Sequence, residues 1–248
     1  MSKYDISMDS RKISIVTTFS KKGYNLYGKR MIGSFESHWP KGINLYAYYE
    51  KDMPNQNSSR ITYINLHEAC PELVDFKRRH KENLPANGHK KGEYNYRWDA
   101  VKFSNKVFCI YHAAQTIDSD ILVWIDADTQ TSGWVSYKFL YRMLPPKKYC
   151  SYIGRKNRHS ECGFMMFNLK HKKNKEFMEK YRDCYLNDKV FKQKQWHDSW
   201  IFDVIRKKVD DGKSFHDLTP GVKYLNFDKL MAKRMVHFKG SASKKKLK

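Results

Sequence analysis

The chain predicts an α/β domain: a central, mostly parallel sheet flanked by helices, with a small antiparallel addition. Three observations predict it. The N-terminal part runs strand, helix, strand, the opening of a doubly wound sheet. Ile121-Leu-Val-Trp-Ile125 is short, apolar throughout and partly β-branched, as a strand covered on both faces must be. The 248 residues are 40 % hydrophobic and 15 % aromatic, enough for a substantial core, and no linker divides them, so residues 1–248 read as a single domain.

Ile13-Ser-Ile-Val-Thr-Thr-Phe19 is the first expected strand, and Lys21 to Asn25 a loop. Residues 27–39 have helical spacing and stop before Pro40, whose ring disfavours helical geometry in the residue before it. Residues 43–49 alternate as a second strand, and 61–66 form a short third. Residues 77–95 break this rhythm. Lys77-Arg-Arg-His-Lys81 and Asn87-Gly-His-Lys-Lys-Gly92 are basic and glycine-bearing, which predicts a mobile loop or an acceptor-facing insertion. Helical period returns from Tyr96, with Ala100, Phe103, Val107, Ile110 and Ala114 apolar. Asp99, Lys102 and Lys106 share one stripe of that helix.

Beyond the strand at 121–125, residues 137–143 form a helix stopped by Pro145-Pro146. Strands at 150–154 and 161–168 place the antiparallel addition around 150–170. Helices follow at 174–185 and 198–209, the second with Asp198 as its expected N-cap. The chain closes on a basic, low-complexity stretch, Ser243-Lys-Lys-Lys-Leu-Lys.

Lysine and arginine number 48 against 26 acidic residues, a formal net charge of +22. That exceeds what solubility requires and points to a polyanionic partner: nucleic acid, an anionic membrane face or an anionic glycan. Lysine-rich, AT-driven coding composition is the competing source of the excess. There is no apolar run of about eighteen residues to span a membrane. The N-terminus lacks the apolar core of a secretory signal, so a cytoplasmic location is expected. Cys70, Cys109, Cys150, Cys162 and Cys184 are scattered, odd in number and without a C-x-x-C pair, which predicts reduced thiols and no zinc site.

Asp126 and Asp128 follow the apolar run directly. Side chains two apart on an extended segment point the same way, so two carboxylates aim beyond the strand's carboxyl end. Open α/β sheets bind ligands there. Two hard oxygen donors suit Mg²⁺ or Mn²⁺ with positions left for phosphate oxygens. The alternative is a solvated, Asp-rich turn.

The apolar run ending in Asp126-Ala-Asp128 resembles the D-x-D strand of GT-A-fold, nucleotide-sugar-dependent glycosyltransferases. His237-Phe-Lys239-Gly240-Ser-Ala-Ser-Lys244 is similar to the segment that closes the donor site in the glycogenin-like branch of that fold, although no Pro-Trp follows the lysine. The two motifs stand in the expected order. The resemblance implies a GT-A-like fold and transfer of a sugar from a nucleoside-diphosphate donor, UDP-sugar foremost, with Mn²⁺ or Mg²⁺ as cofactor. His237 would be the third metal ligand; Lys239, Gly240 and Lys244 would hold the diphosphate. Thr17 and Thr18 would meet base and ribose, and Asp99 and Lys102 the donor, with a surface ion pair as the alternative for these last two. Glu161 and Asp198 would serve the reacting sugar, with helix capping as the alternative for Asp198. Residues 13–130 would form the nucleotide-binding half and 131–248 the acceptor half. Retention of configuration is the mild preference. The acceptor would be a hydroxylated base in DNA or a cell-envelope glycan. A non-catalytic nucleic-acid-binding protein and a metal-dependent nucleotidyltransferase are the rival readings; the first has no need of Asp-Ala-Asp, and the second wants a third carboxylate.

Overall fold

The structure, a computed structural model, describes residues 9–223, 227–231 and 233–238. Seven strands form one sheet in the order β3-β2-β1-β4-β7-β6-β8: β1 (Ile13–Phe19), β2 (Asn44–Tyr49), β3 (Ile61–Asn65), β4 (Ile121–Ile125), β6 (Cys150–Ile153), β7 (Glu161–Asn168) and β8 (Phe215–Asp217). β3, β2, β1 and β4 run parallel, β7 is antiparallel to both β4 and β6, and β8 is parallel to β6. The mostly parallel α/β sheet is therefore as expected. The antiparallel pairing expected around 150–170 exists, but it continues the main sheet. A separate antiparallel ribbon joins β5 (Thr129–Thr131) to β9 (Met235–His237).

The unbroken apolar run of β4 has a direct cause. Ile121, Val123 and Ile125 enter the core on one face of the sheet, while Leu122 and Trp124 enter the core on the other. Helices Lys29–His38 and Tyr137–Met143 cover the first face. Helices Pro71–Arg79, Ala100–Thr116, Asn174–Leu186 and Asp198–Val209 cover the second. A strand so enclosed has no solvent side on which a polar residue could stand. Lys29–His38 is preceded by a turn of π-helix, Tyr24–Gly28, so the expected helix starts irregularly. All five cysteines are buried and unpaired. Among the described residues no helix is long and apolar enough to cross a membrane.

Part of the segment expected to be a mobile or acceptor-facing loop is tied into the fold. Lys77, Arg78 and Arg79 lie in helix Pro71–Arg79, and ion pairs tie Lys77 to Glu50 and both arginines to Asp75. Arg79 and His80 also reach Asp188, and Lys90 lies over the rings of Trp98 and Trp196. Two of the acids that anchor this segment, Glu50 and Asp188, are distant in sequence, so local composition does not show them.

Candidate active site

A cleft of ≈ 2180 Å³ opens at the carboxyl ends of β1 and β4. Asp126 follows β4, and the chain turns at once: Thr129 N–H donates to Asp126 O at 2.9 Å. The two aspartates thus converge across a turn, and the extended alternation expected of them ends at Ile125. Each has a distinct neighbour. Asp126 shares a face with Trp124, two residues earlier, whose Nε1–H donates to Asp126 Oδ1 at 2.7 Å. Asp128 Oδ1 stands 2.9 Å from His237 Nε2.

His237 arrives from the far end of the chain on β9. The pairing of β9 with β5, register Thr129↔His237, brings it beside the aspartates. Gly163 on β7 makes room for the ring: a Cβ there would meet His237 Cε1 at 2.5 Å and Nδ1 at 2.7 Å. Oxygens of Asp126 and Asp128 and a nitrogen of His237 all lie within 4.8 Å of one another, the one such group among the described residues. Two carboxylates and an imidazole fit a divalent ion of the Mn²⁺ or Mg²⁺ kind, the imidazole favouring Mn²⁺. His237 Nδ1 is buried without a hydrogen bond, and Glu161 Oε1 lies 3.7 Å from it. A ring whose Nε2 held a metal would carry its proton on Nδ1, facing that carboxylate.

Lys106 completes the floor. It sits on helix Ala100–Thr116, 6 % exposed, and its ammonium lies 3.0 Å from Asp126 Oδ1 and 2.8 Å from Asp198 Oδ2. It also donates to the Cys162 carbonyl and lies over the Trp124 ring. Burial opposes the charge on Lys106, but the two carboxylates outweigh it and hold the pKa above the ordinary lysine value. Burial likewise opposes ionisation of Asp198, yet Lys106 and His197 hold it below the ordinary carboxylate value. Tyr27, lining the same cleft, is pushed up to about 12 by burial and by the charges of Asp128 and Asp126.

The expected site residues divide. Asp126, Asp128 and His237 come together; Glu161 and Asp198 line the cleft beside them, as do Thr18 and Lys102. Thr18 Oγ1–H donates to Tyr48 O at 3.0 Å. Thr17 is fully buried in β1 and does not line the cleft. Asp99 is the N-cap of helix Ala100–Thr116, accepting from Lys102 N–H and from the Tyr94 hydroxyl. Asp198 is not an N-cap: His197 holds that position, and Asp198 occupies the first helical turn with its carboxylate turned inward to Lys106. Lys239, Gly240 and Lys244 lie outside the described residues. Sequence reasoning missed Lys106 and Gly163. For Lys106 a signal existed, a lysine continuing an apolar helix into Val107-Phe-Cys-Ile110, on the stripe it shares with Asp99 and Lys102.

The chain matches no protein-family model and no curated protein. It does resemble solved structures. The apo bifunctional glycosyltransferase WbbM superposes with a TM-score of 0.54 at 12 % identity, over 94 % of this chain and 47 % of WbbM. This chain thus spans about half of that protein. Apo mouse xyloside xylosyltransferase 1 gives 0.51 at 10 % identity, over 83 % and 84 % of the two chains. Galactosyltransferase LgtC, solved with donor and acceptor sugar analogs, gives 0.50 at 14 % identity, over 82 % and 72 %. The fold is that of GT-A-type glycosyltransferases. At these identities the likeness extends to the fold alone.

Proposed function

We propose that the protein is a metal-dependent glycosyltransferase that moves a sugar from a nucleoside-diphosphate donor, UDP-sugar foremost, to a hydroxyl. The observation that carries this reading is the Asp126–Asp128–His237 group, assembled from remote parts of the chain on the floor of the main cleft. The order of the two motifs favours the glycogenin-like branch. The third member of the group is a histidine, which disfavours a nucleotidyltransferase built on three carboxylates.

In this reading Asp126, Asp128 and His237 would hold a divalent ion, which would supply positive charge to stabilise the departing diphosphate. The chain's own residues set the stage. Trp124 and Lys106 both engage Asp126 Oδ1, which orients Oδ2 toward His237, 3.6 Å away. Thr18 and Lys102 contact the donor from the cleft wall, and Lys239, Gly240 and Lys244 add diphosphate contacts from the C-terminal segment. Asp198, kept ionised by Lys106, faces the sugar as the group that assists at the anomeric carbon, with Glu161 its neighbour on the other side of the metal ligands. Residues 13–130 supply the nucleotide side and 131–248 the acceptor side. Retention of configuration is part of the proposal; the anomeric proton signal of the product reads it.

The test is a donor screen with Mn²⁺, following hydrolysis and thermal shift. Chelation should abolish transfer, and Mn²⁺ or Mg²⁺ should restore it. Asp128→Asn should lose activity by two orders of magnitude or more while circular dichroism stays unchanged, on the order of losses from removing a key electrostatic group. Full activity in chelator sinks the proposal.

A further inference from the structure

Part of the net charge of +22 gathers at the cleft. Six exposed cations line the mouth of the cleft: Arg97, Lys102, Lys156, Arg158, Lys194 and Lys207. They come from four separate places. Arg97 lies in the turn Tyr96–Trp98, and Lys102 lies in the first turn of helix Ala100–Thr116. Lys194 precedes helix Asp198–Val209, which carries Lys207. Lys156 and Arg158 stand in the β6–β7 connection.

These positions are held in place. Trp196 N–H donates to Arg97 O at 2.7 Å, joining the turn of Arg97 to the segment of Lys194. Arg155 folds back on the β6–β7 connection, its Nε–H donating to His159 O at 2.8 Å, and Lys156 N–H donates to Val222 O. Asn157 takes the left-handed conformation at the tip, φ 63°. The acids of this wall are already engaged. Asp203 accepts from Ser160 N–H and Oγ–H and pairs with Arg206; Asp217 accepts from Gly154 N–H and Thr219 N–H. The mouth therefore carries positive potential above a carboxylate-bearing floor.

Exposed aromatic rings stand among these cations. Tyr94 is 51 % and Tyr96 44 % exposed, both line the cleft, and they precede Arg97 and Lys102 in sequence. Cations that track a backbone, interleaved with exposed aromatic faces, are the means by which proteins hold single-stranded nucleic acid. Several cations spread around a mouth match repeated phosphates better than a single phosphate group, which would need them converged on one point.

We infer that the cleft mouth binds a nucleic-acid strand, with Arg97, Lys156, Arg158, Lys194 and Lys207 on the phosphates and Tyr94 and Tyr96 against bases. A nucleotide drawn out of its stack enters the cleft. Its hydroxyl oxygen bonds to the anomeric carbon of the donor sugar as the bond to the nucleoside diphosphate breaks, the diphosphate leaving and the hydroxyl proton passing to solvent. The role as acceptor rests on the glycosyltransferase reading; the binding does not.

The test uses the full chain and a fluorescein-labelled single-stranded oligonucleotide, with anisotropy recorded over a range of KCl. Arg97→Gln, Lys156→Gln, Arg158→Gln and Lys194→Gln combined should weaken binding at least tenfold. The log–log salt slope should flatten by roughly 3, since each single-strand phosphate contact contributes about 0.7. A variant with the same charge loss outside the cleft, Lys29→Gln, Arg30→Gln, Lys172→Gln and Lys175→Gln, should lose less than threefold. Tyr96→Ala should weaken binding roughly tenfold with the slope kept. Equal losses in the two charge variants overturn the inference. So does equal or tighter cleft-dependent binding of anionic phospholipid vesicles or of a phosphodiester-linked glycan. Nucleoside-diphosphate binding with Mn²⁺, measured by calorimetry on the same proteins, reads the donor end separately. Its absence in the parent chain overturns the transferase reading and the acceptor role together, while strand binding still decides the surface.

Discussion

Lys106 is the residue on which the floor of the cleft turns. One buried ammonium pairs with both Asp126, half-buried, and Asp198, buried. Lys106→Met should cost about 3–5 kcal/mol of stability, the penalty of stranding buried charge, and should abolish activity. Adding Asp198→Asn should return part of the stability and none of the activity; thermal denaturation and a transfer assay separate the two. His197 is the second residue with a measurable signature. Its Nε2–H donates to Gln195 Oε1 at 2.9 Å while Nδ1 accepts from Trp200 N–H, so both nitrogens are committed to the neutral ring. Burial, only partly opposed by Asp198, pushes its pKa down to about 4 from 6.5. Between those values the unfolded chain binds the extra proton, so stability falls as pH drops from 6.5 toward 4. From pH 7 to 5 the loss at this residue should be about 2 kcal/mol. His67, His112, His159, His171 and His216 are depressed in the same direction. The informative quantity is therefore the difference between parent and His197→Asn, which keeps a capping side chain. Denaturant unfolding at the two pH values should show a clearly shallower loss in the variant.

At the scale of elements, β7 does more than extend the sheet. It is buried along its whole length, and Gly163 within it is the point where strand and histidine share space. The Glu161 side chain accepts from Gly163 N–H at 3.0 Å and faces His237 Nδ1, so one strand supplies both the room for the ring and the carboxylate beside it. Gly163→Ala should displace His237 and weaken Mn²⁺ binding at least tenfold, comparable to losing an outer-shell partner of a metal ligand. Calorimetry with Mn²⁺ checks it. Unchanged affinity would mean that His237 is no ligand.

At the scale of the molecule, the site joins residues 106, 126, 128, 161, 198 and 237, drawn from most of the chain onto one sheet edge. Its last member depends on a three-residue ribbon, β5 with β9, which is separate from the main sheet. Ending the chain after Arg234 should therefore remove Mn²⁺ binding while the seven-stranded sheet still unfolds cooperatively. A truncated chain that retains the parent's Mn²⁺ affinity would place the metal elsewhere.

Much of this was legible in the residues. Helix Asp198–Val209, β1 and β7 fall where period and composition put them, because burial on one stripe or two faces leaves a local imprint. Asp126 and Asp128 were legible as two carboxylates directly after a fully buried strand, a pattern shared by a metal site and a solvated turn. What the sequence could not show are the partners of charges. Lys77 looked like part of a basic loop, and Lys106 like one member of a helix stripe, until Glu50, Asp126 and Asp198 stood beside them. Asp198 looked like a cap until the helix began at Asp198 itself, with His197 as its N-cap. Hydrophobic period is a property of neighbouring residues and survives in one dimension. Electrostatic pairing depends on distances across the fold, and only the tertiary structure decides which charges meet, which are buried, and which remain exposed at the mouth of the cleft.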